Sequence, residues 1–314
     1  MSELYHYTTA AGLLGMLKNY KTENPDLTMR ATHCNYLNDR SEFFWGIKLC
    51  CNAIYEYEKQ NSIPEEERLS KYIKDPYDES TTELFWFYSS YINNIDYGFP
   101  YLISFSRAKD SLPMWGMYAK QGNGIALVFD EDRLQYTFSD SICKDCIYCQ
   151  DDEMAPVMDM IQEDYNKYLH EIRHEKSSIS TWSTALADIR LHNMFRKIGP
   201  YVKHKSFEYE EEFRIVVSNP LTVSYKMGDD LPAFESYSNT TSDKLSDNIL
   251  FREKEGMIIP YVEQKISIDY LKGIIIGPTT DFDRQKEALR IFMRSKHIDT
   301  SHIEITKSKA PYRG

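Results

Sequence analysis

The sequence predicts an α+β fold, with strands gathered at the beginning, middle and end of the chain and helices inserted between them. Three observations carry this expectation. Short apolar runs of strand length recur at residues 4–8, 101–106, 125–129 and 271–276. Helical apolar spacing fills the intervals, above all after Ser41 and from 151 to 198. No repeat or low-complexity linker divides the 314 residues, so one domain spanning 1–314 is expected, with a helical insertion at about 151–198. A hydrophobic fraction of 42% is enough to build a core and excludes a disordered chain.

The first strand covers residues 4–8, and Thr9 is placed to cap a helix whose Leu13, Leu14 and Leu17 share one face. Residues 27–32 form a second strand, followed by the turn-rich run Asn35, Tyr36, Leu37, Asn38 and Asp39. Ser41 starts a helix with Phe43, Ile47, Cys50 and Ile54 on one side. Residues 62–80, rich in charge and containing prolines, read as a surface excursion, and residues 81–92 as an aromatic helix. The strand at 101–106 runs into a short helix at 112–120, then a turn at 121–124 and a strand at 125–129. The unbroken apolar run of that last strand fits burial on both faces. Residues 142–148 add a strand. The helical stretch 151–198 breaks near Ser177 and Ser178 and carries Trp182, Leu186 and Ile189 as a buried stripe. Strands return at 212–217 and 221–225, and a polar loop runs from Lys226 to about Ser246. Strands at 256–262 and 271–276 precede a helix at 283–293 and a final strand at 303–306.

Composition narrows the function classes. A net charge of -11 argues against a protein that coats nucleic acid, although a local basic groove stays compatible with it. No apolar run approaches the roughly 18 residues of a membrane span, so no membrane partner is expected. The opening residues have neither a basic nor an apolar signal region, which makes a cytoplasmic location the expectation. Six cysteines, two adjacent and three crowded at Cys143, Cys146 and Cys149, do not resemble a disulfide framework. That trio would need a remote fourth ligand to hold a metal, and strand alternation splits it between faces; no metal is expected. There is no G-x-G-x-x-G, Walker loop, H-E-x-x-H or G-x-S-x-G motif.

Three local groups carry candidate chemistry. His6, between Tyr5 and Tyr7, either presents its imidazole to a ribose hydroxyl or is satisfied by a backbone carbonyl. Trp115 and Tyr118 lie about one turn apart on the helix after Ser106, where they either sandwich a flat heteroaromatic ring or close the core. In Glu208-Tyr209-Glu210-Glu211-Glu212-Phe213-Arg214, alternation puts Glu210, Glu212 and Arg214 opposite Phe213, with Lys203 and Lys205 available to relieve the acids. A carboxylate there either holds a ribose hydroxyl and stabilises positive charge on a sugar, or belongs to a solvated acidic edge.

The order of these parts resembles the H–Y–E arrangement of ADP-ribosyltransferases, PARP-like and DarT-like enzymes included. The chain also resembles, over nearly its whole length, an uncharacterised family of bacterial proteins of unknown function. The pieces that match are Leu4 to Thr8, Leu37-Asn38-Asp39 with Glu42, Phe105-Ser106, Met114-Trp115 with Tyr118-Ala119, Glu210-x-Glu212-Phe213-Arg214, and Ile276-Gly277-Pro278. The transferase resemblance implies two packed, mainly antiparallel sheets around a cleft. It implies NAD as substrate, bound through His6, Tyr7, Thr8 and Ser106, with His6 on a ribose and Trp115 or Tyr118 on nicotinamide. Arg30 or Arg107 would neutralise the pyrophosphate. Glu212 would be the catalytic acid residue, with Glu210 orienting the target and His6 assisting. The acceptor would be an unidentified protein or nucleic acid, as for a toxin or phage-defence effector with an antitoxin partner. The alternative is a non-catalytic nucleotide-sensing or protein-interaction module.

Overall fold

The computed structural model describes residues 2–37, 42–73, 100–139, 141–174, 186–187, 190–191, 193–195, 197–217, 248–254 and 256–312. Strand β1 (Glu3–Thr8) leads into helix α1 (Ala10–Met16), capped by Thr9, whose side chain accepts the Gly12 N–H. β2 (Asp26–His33) and α2 (Glu42–Gln60) follow. β3 (Tyr101–Ser106), α3 (Leu112–Tyr118), β4 (Ile125–Asp130) and α4 (Glu131–Thr137) occupy the middle of the chain. β5 (Ile142–Asp145), β6 (Ile147–Cys149), α5 (Ala155–His174), β7 (Val202–His204) and β8 (Glu212–Val217) come next. The described chain continues with β9 (Ile249–Lys254), β10 (Met257–Ser267), β11 (Leu271–Ile276), α6 (Phe282–Ser295) and β12 (Glu304–Lys307).

Ten of these strands form one sheet, and β6 and β7 pair in parallel beside it. The two sheets are unequal: the large one is branched, with helices on both faces, and the small one holds only β6 and β7. Its stem is β3-β8-β5, antiparallel throughout. The free edge of β3 is shared end to end by two strands. β1 pairs with it at Ser106, and β2 pairs with it at Leu102 and Tyr101. One branch then runs β1-β4-β11-β12 and the other β2-β10-β9. Between the two branches the β3 backbone lacks a strand partner, and its polar groups need side chains. The His6 ring supplies one, with Nδ1 3.0 Å from the Ser104 carbonyl oxygen.

Strand alternation sorts the residues between the faces. Leu4, Leu27, Met29, Ile103, Phe105, Leu127, Phe129, Phe213 and Ile215 pack with Leu13 and Leu17 beside α1 and with Leu289 and Met293 of α6. On the opposite face two separate apolar clusters form. Leu102 and Val216 pack under α2 and α5, whereas Tyr5, Tyr7, Ala126 and Val128 pack under Met114 and Trp115 of α3. A strip of polar side chains lies between those two clusters, and it contains the candidate site.

Several local expectations change. Leu14 is 51% exposed, so the buried face of α1 is Leu13 with Leu17 after it. Residues 62–73 are not a plain surface excursion, because Ile63, Leu69 and Ile73 sink into the α2–α5 core. The strand expected at 142–148 is two strands broken at Cys146, whose N–H bonds the Glu212 carbonyl. The aromatic helix at 81–92, the strand at 221–225, the loop at 226–246, and Trp182 and Ile189 lie outside the described residues. Leu186, from the same stripe, is buried. No helix among the described residues is long and apolar enough to cross a membrane.

Candidate functional site

The site is built at the start of β8. A 3-10 turn (Lys205–Glu210) ends at Glu211, whose left-handed backbone (φ 41°) reverses the chain into the strand. Ser106 fixes the turn by donating its hydroxyl to the Glu210 carbonyl at 2.6 Å, and the Arg107 N–H donates to the Glu211 carbonyl at 2.8 Å. Ser106 and Glu212 are direct cross-strand partners, so their side chains share a face.

Around that corner five charged side chains are buried together: Glu42, Lys203, Glu210, Glu212 and Arg214. Lys203 Nζ donates to Glu210 Oε2 at 2.5 Å and to Glu212 Oε2 at 2.7 Å. Arg214 donates Nε to Glu212 Oε1 and Nη2 to Oε2, both at 2.8 Å, the bidentate fork suited to a carboxylate. It also bonds Glu42 and the Pro200 carbonyl. Tyr118, on α3, donates its hydroxyl to Glu210 Oε1 at 2.6 Å. Tyr148, on β6, accepts the Glu212 N–H at 2.7 Å. Five elements (α2, α3, β6, β7 and β8) and a turn therefore meet around two carboxylates.

Electrostatics divides that pair. Burial raises the proton affinity of Glu210, and the Glu212 charge adds to the rise while Lys203 offsets it only in part. Burial acts on Glu212 in the same sense, but Arg214 and Lys203 outweigh it and hold Glu212 well below the usual carboxylate range. Burial also raises the Tyr118 hydroxyl, with Glu210 beside it, so the phenol keeps its proton and donates. Glu210 therefore holds a proton more readily than Glu212 does.

Not every residue expected from the sequence joins this cluster. Tyr5 pairs with Ser106, so Tyr5, Ser106 and Glu212 share one face and His6, the next residue in β1, points to the other. Its ring meets the edge of Phe105 at 5.8 Å, and burial lowers its pKa. The imidazole and the Glu212 carboxylate do not converge. Trp115 is 0% exposed, donates Nε1 to Asp110 at 2.7 Å and abuts the Tyr7 ring edge-on at 5.0 Å, so it closes the core under α3. Tyr7 ties down the loop after β3, donating to the Ala108 carbonyl and accepting from the Ser111 N–H. Thr8 lies at the end of β1 opposite Ile125. Arg107 donates two hydrogen bonds to Glu131, at 2.8 and 2.7 Å, and a third to Asp145. Arg30 sits on β2, on the Glu212 face of the sheet, stacked on Tyr261. Of the two lysines open in the sequence, Lys203 enters the cluster and Lys205 is exposed.

Glu42 is the member that local patterning missed, since a first-turn helical glutamate has an ordinary place beside the helix dipole. Cys146 and Cys149 are buried and Cys143 half-buried, all three as free thiols. A family model described as protein of unknown function (DUF2971) matches residues 114–215. That stretch includes Tyr118, Lys203, Glu210, Glu212 and Arg214. No curated protein and no solved structure matches the chain.

Proposed function

We propose that the chain is a glycosyl-transfer enzyme whose reacting groups are Glu210 and Glu212, and that its donor is NAD. It would then be an ADP-ribosyltransferase acting on a protein or nucleic-acid acceptor. One observation carries this reading: two buried carboxylates share a single lysine, yet their surroundings drive their proton affinities in opposite directions. The permanently charged Glu212 suits stabilisation of the positive sugar centre that develops as the C–N bond to nicotinamide breaks. Nicotinamide leaves with the electron pair of that bond. The acceptor atom bonds to the anomeric carbon, and its proton passes to Glu210, whose raised proton affinity suits a general base. Tyr118 orients Glu210 and stands at the more open side of the cluster, where an aromatic ring can lie against nicotinamide. Neither His6 nor Trp115 has a direct part in this scheme.

A second reading has its own observation. Arg214, Lys203, Glu42, Glu210 and Glu212 satisfy one another internally, as in an ionic tie that joins α2 and β7 to the sheet without chemistry. The two readings separate in one experiment. NAD labelled in its adenylate portion is incubated with the chain and a mixture of proteins and nucleic acids. Label carried onto a macromolecule by the wild type supports transfer; a wild type that leaves every acceptor unlabelled and releases no nicotinamide supports the structural tie.

A further inference from the structure

A second charged group lies on the other branch of the sheet. Tyr261 of β10 pairs with Thr32 of β2, and Thr32 pairs in turn with Leu102 of β3. Tyr261 therefore stands on the face that also carries Ser106 and Glu212. Two arginines of the flanking strands stand on this same face. Arg30 of β2 lies over it, with Cζ 4.9 Å from the centroid. Arg252 of β9 comes from the opposite side and donates Nη2 to the Thr32 hydroxyl at 3.3 Å.

Neither arginine has a carboxylate within ion-pair distance among the described residues, although Glu263 stands directly across from Arg30 and Glu253 adjoins Arg252. The Glu253 carboxylate accepts instead from the Gly256 N–H. Arg252 Nε is buried with no hydrogen-bond partner, the one such side-chain atom among the described residues. Burial lowers the Arg252 pKa, and the neighbouring Arg30 charge lowers it further. A half-buried cation beside a second cation, with an orphaned donor, is costly without an anion between them. Arg107 makes the contrast, because its donors are taken up by Glu131, Asp145 and Ser2.

We propose that Arg30 and Arg252, with the Thr32 hydroxyl, bind the phosphoryl group of a phosphorylated small molecule over the Tyr261 ring. Guanidinium forks match phosphate oxygens two at a time, and the tyrosine ring holds one fork flat. A phosphoryl dianion compensates both charges. The site is separate from the Glu210–Glu212 pair and rests on no step of the reaction proposed above.

Titration calorimetry with inorganic pyrophosphate at fixed ionic strength tests the site. The wild type is expected to bind, and Arg30→Gln and Arg252→Gln are each expected to bind roughly tenfold more weakly or worse. Glu210→Gln should bind pyrophosphate as the wild type does, so the result stands whether or not NAD is turned over. Arg30 is exposed, so Arg30→Gln keeps the test intact if loss of the half-buried Arg252 harms folding. A wild type that does not bind pyrophosphate, or an Arg30→Gln protein that binds it equally well, would overturn the proposal.

Discussion

Lys203 shows how far single residues could be read in advance. Alternation along β8 puts Glu212 and Arg214 opposite Phe213 and Ile215, and the structure keeps that division. The same pattern cannot tell whether Lys203 or Lys205 meets the acids, because β7 is only three residues long and turns at once into a 3-10 segment. His6 failed for a different reason. Its face depends on the register Tyr5 to Ser106, a long-range pairing that no local pattern encodes. Trp115 is a plausible stacking ring by type and position, and only its hydrogen bond to Asp110 and its full burial assign it to the core.

Among the buried residues, His33 gives the clearest dependence on pH. Its ring is set edge-on to Tyr101 at 5.3 Å and Tyr36 at 5.5 Å, and burial pushes its pKa from 6.5 down to about 4. Above pH 6.5 both folded and unfolded chains hold it neutral. Between about pH 6.5 and 4 the unfolded chain takes up a proton that the folded one refuses, so stability falls as pH falls. This residue alone contributes up to about 3 kcal/mol across that window. Urea unfolding midpoints measured through it should decline for the wild type and decline less for His33→Gln; equal slopes would show that His33 is not the group responsible.

At the scale of elements, the helical spacing of α2 and the cap on α1 were legible because both depend on neighbours in sequence. β9 was not, since its Arg252, Glu253 and Lys254 conceal the alternation of an edge strand. Nor does a pattern of polarity reveal how closely two elements approach. A Cβ added at Gly46 of α2 would lie 2.9 Å from the Gly199 carbonyl oxygen and 3.1 Å from its Cα. That close contact sets α2 against the turn whose Pro200 carbonyl receives Arg214, while Glu42 at the helix start receives the same guanidinium. Gly46→Ala should therefore cost about 1–3 kcal/mol in thermal or urea unfolding, as a small-to-large change against backbone. It should also lower any activity of the site by moving Glu42. An unchanged unfolding curve would mean that α2 can shift freely there.

For the whole molecule, α+β character and helical insertions followed from the succession of short apolar runs and helical stretches. The branching of the sheet at β3 did not, because it requires one strand edge to serve two partners, β1 and β2, drawn from separate parts of the chain. That branching matters for function. It leaves a polar strip on one face between the apolar cluster under α2 and α5 and the cluster under α3. The Glu210–Glu212 pair sits at the corner of that strip, and the two uncompensated arginines lie on the same face of the adjoining branch. The decisive measurement is nicotinamide release from NAD by wild type and Glu210→Gln, taken with their unfolding curves. A reacting Glu210 requires release by the wild type and a fall of roughly 100-fold or more in the variant, with both proteins unfolding alike. Equal release by the two proteins, or none by the wild type with NAD and macromolecular acceptors present, would contradict it.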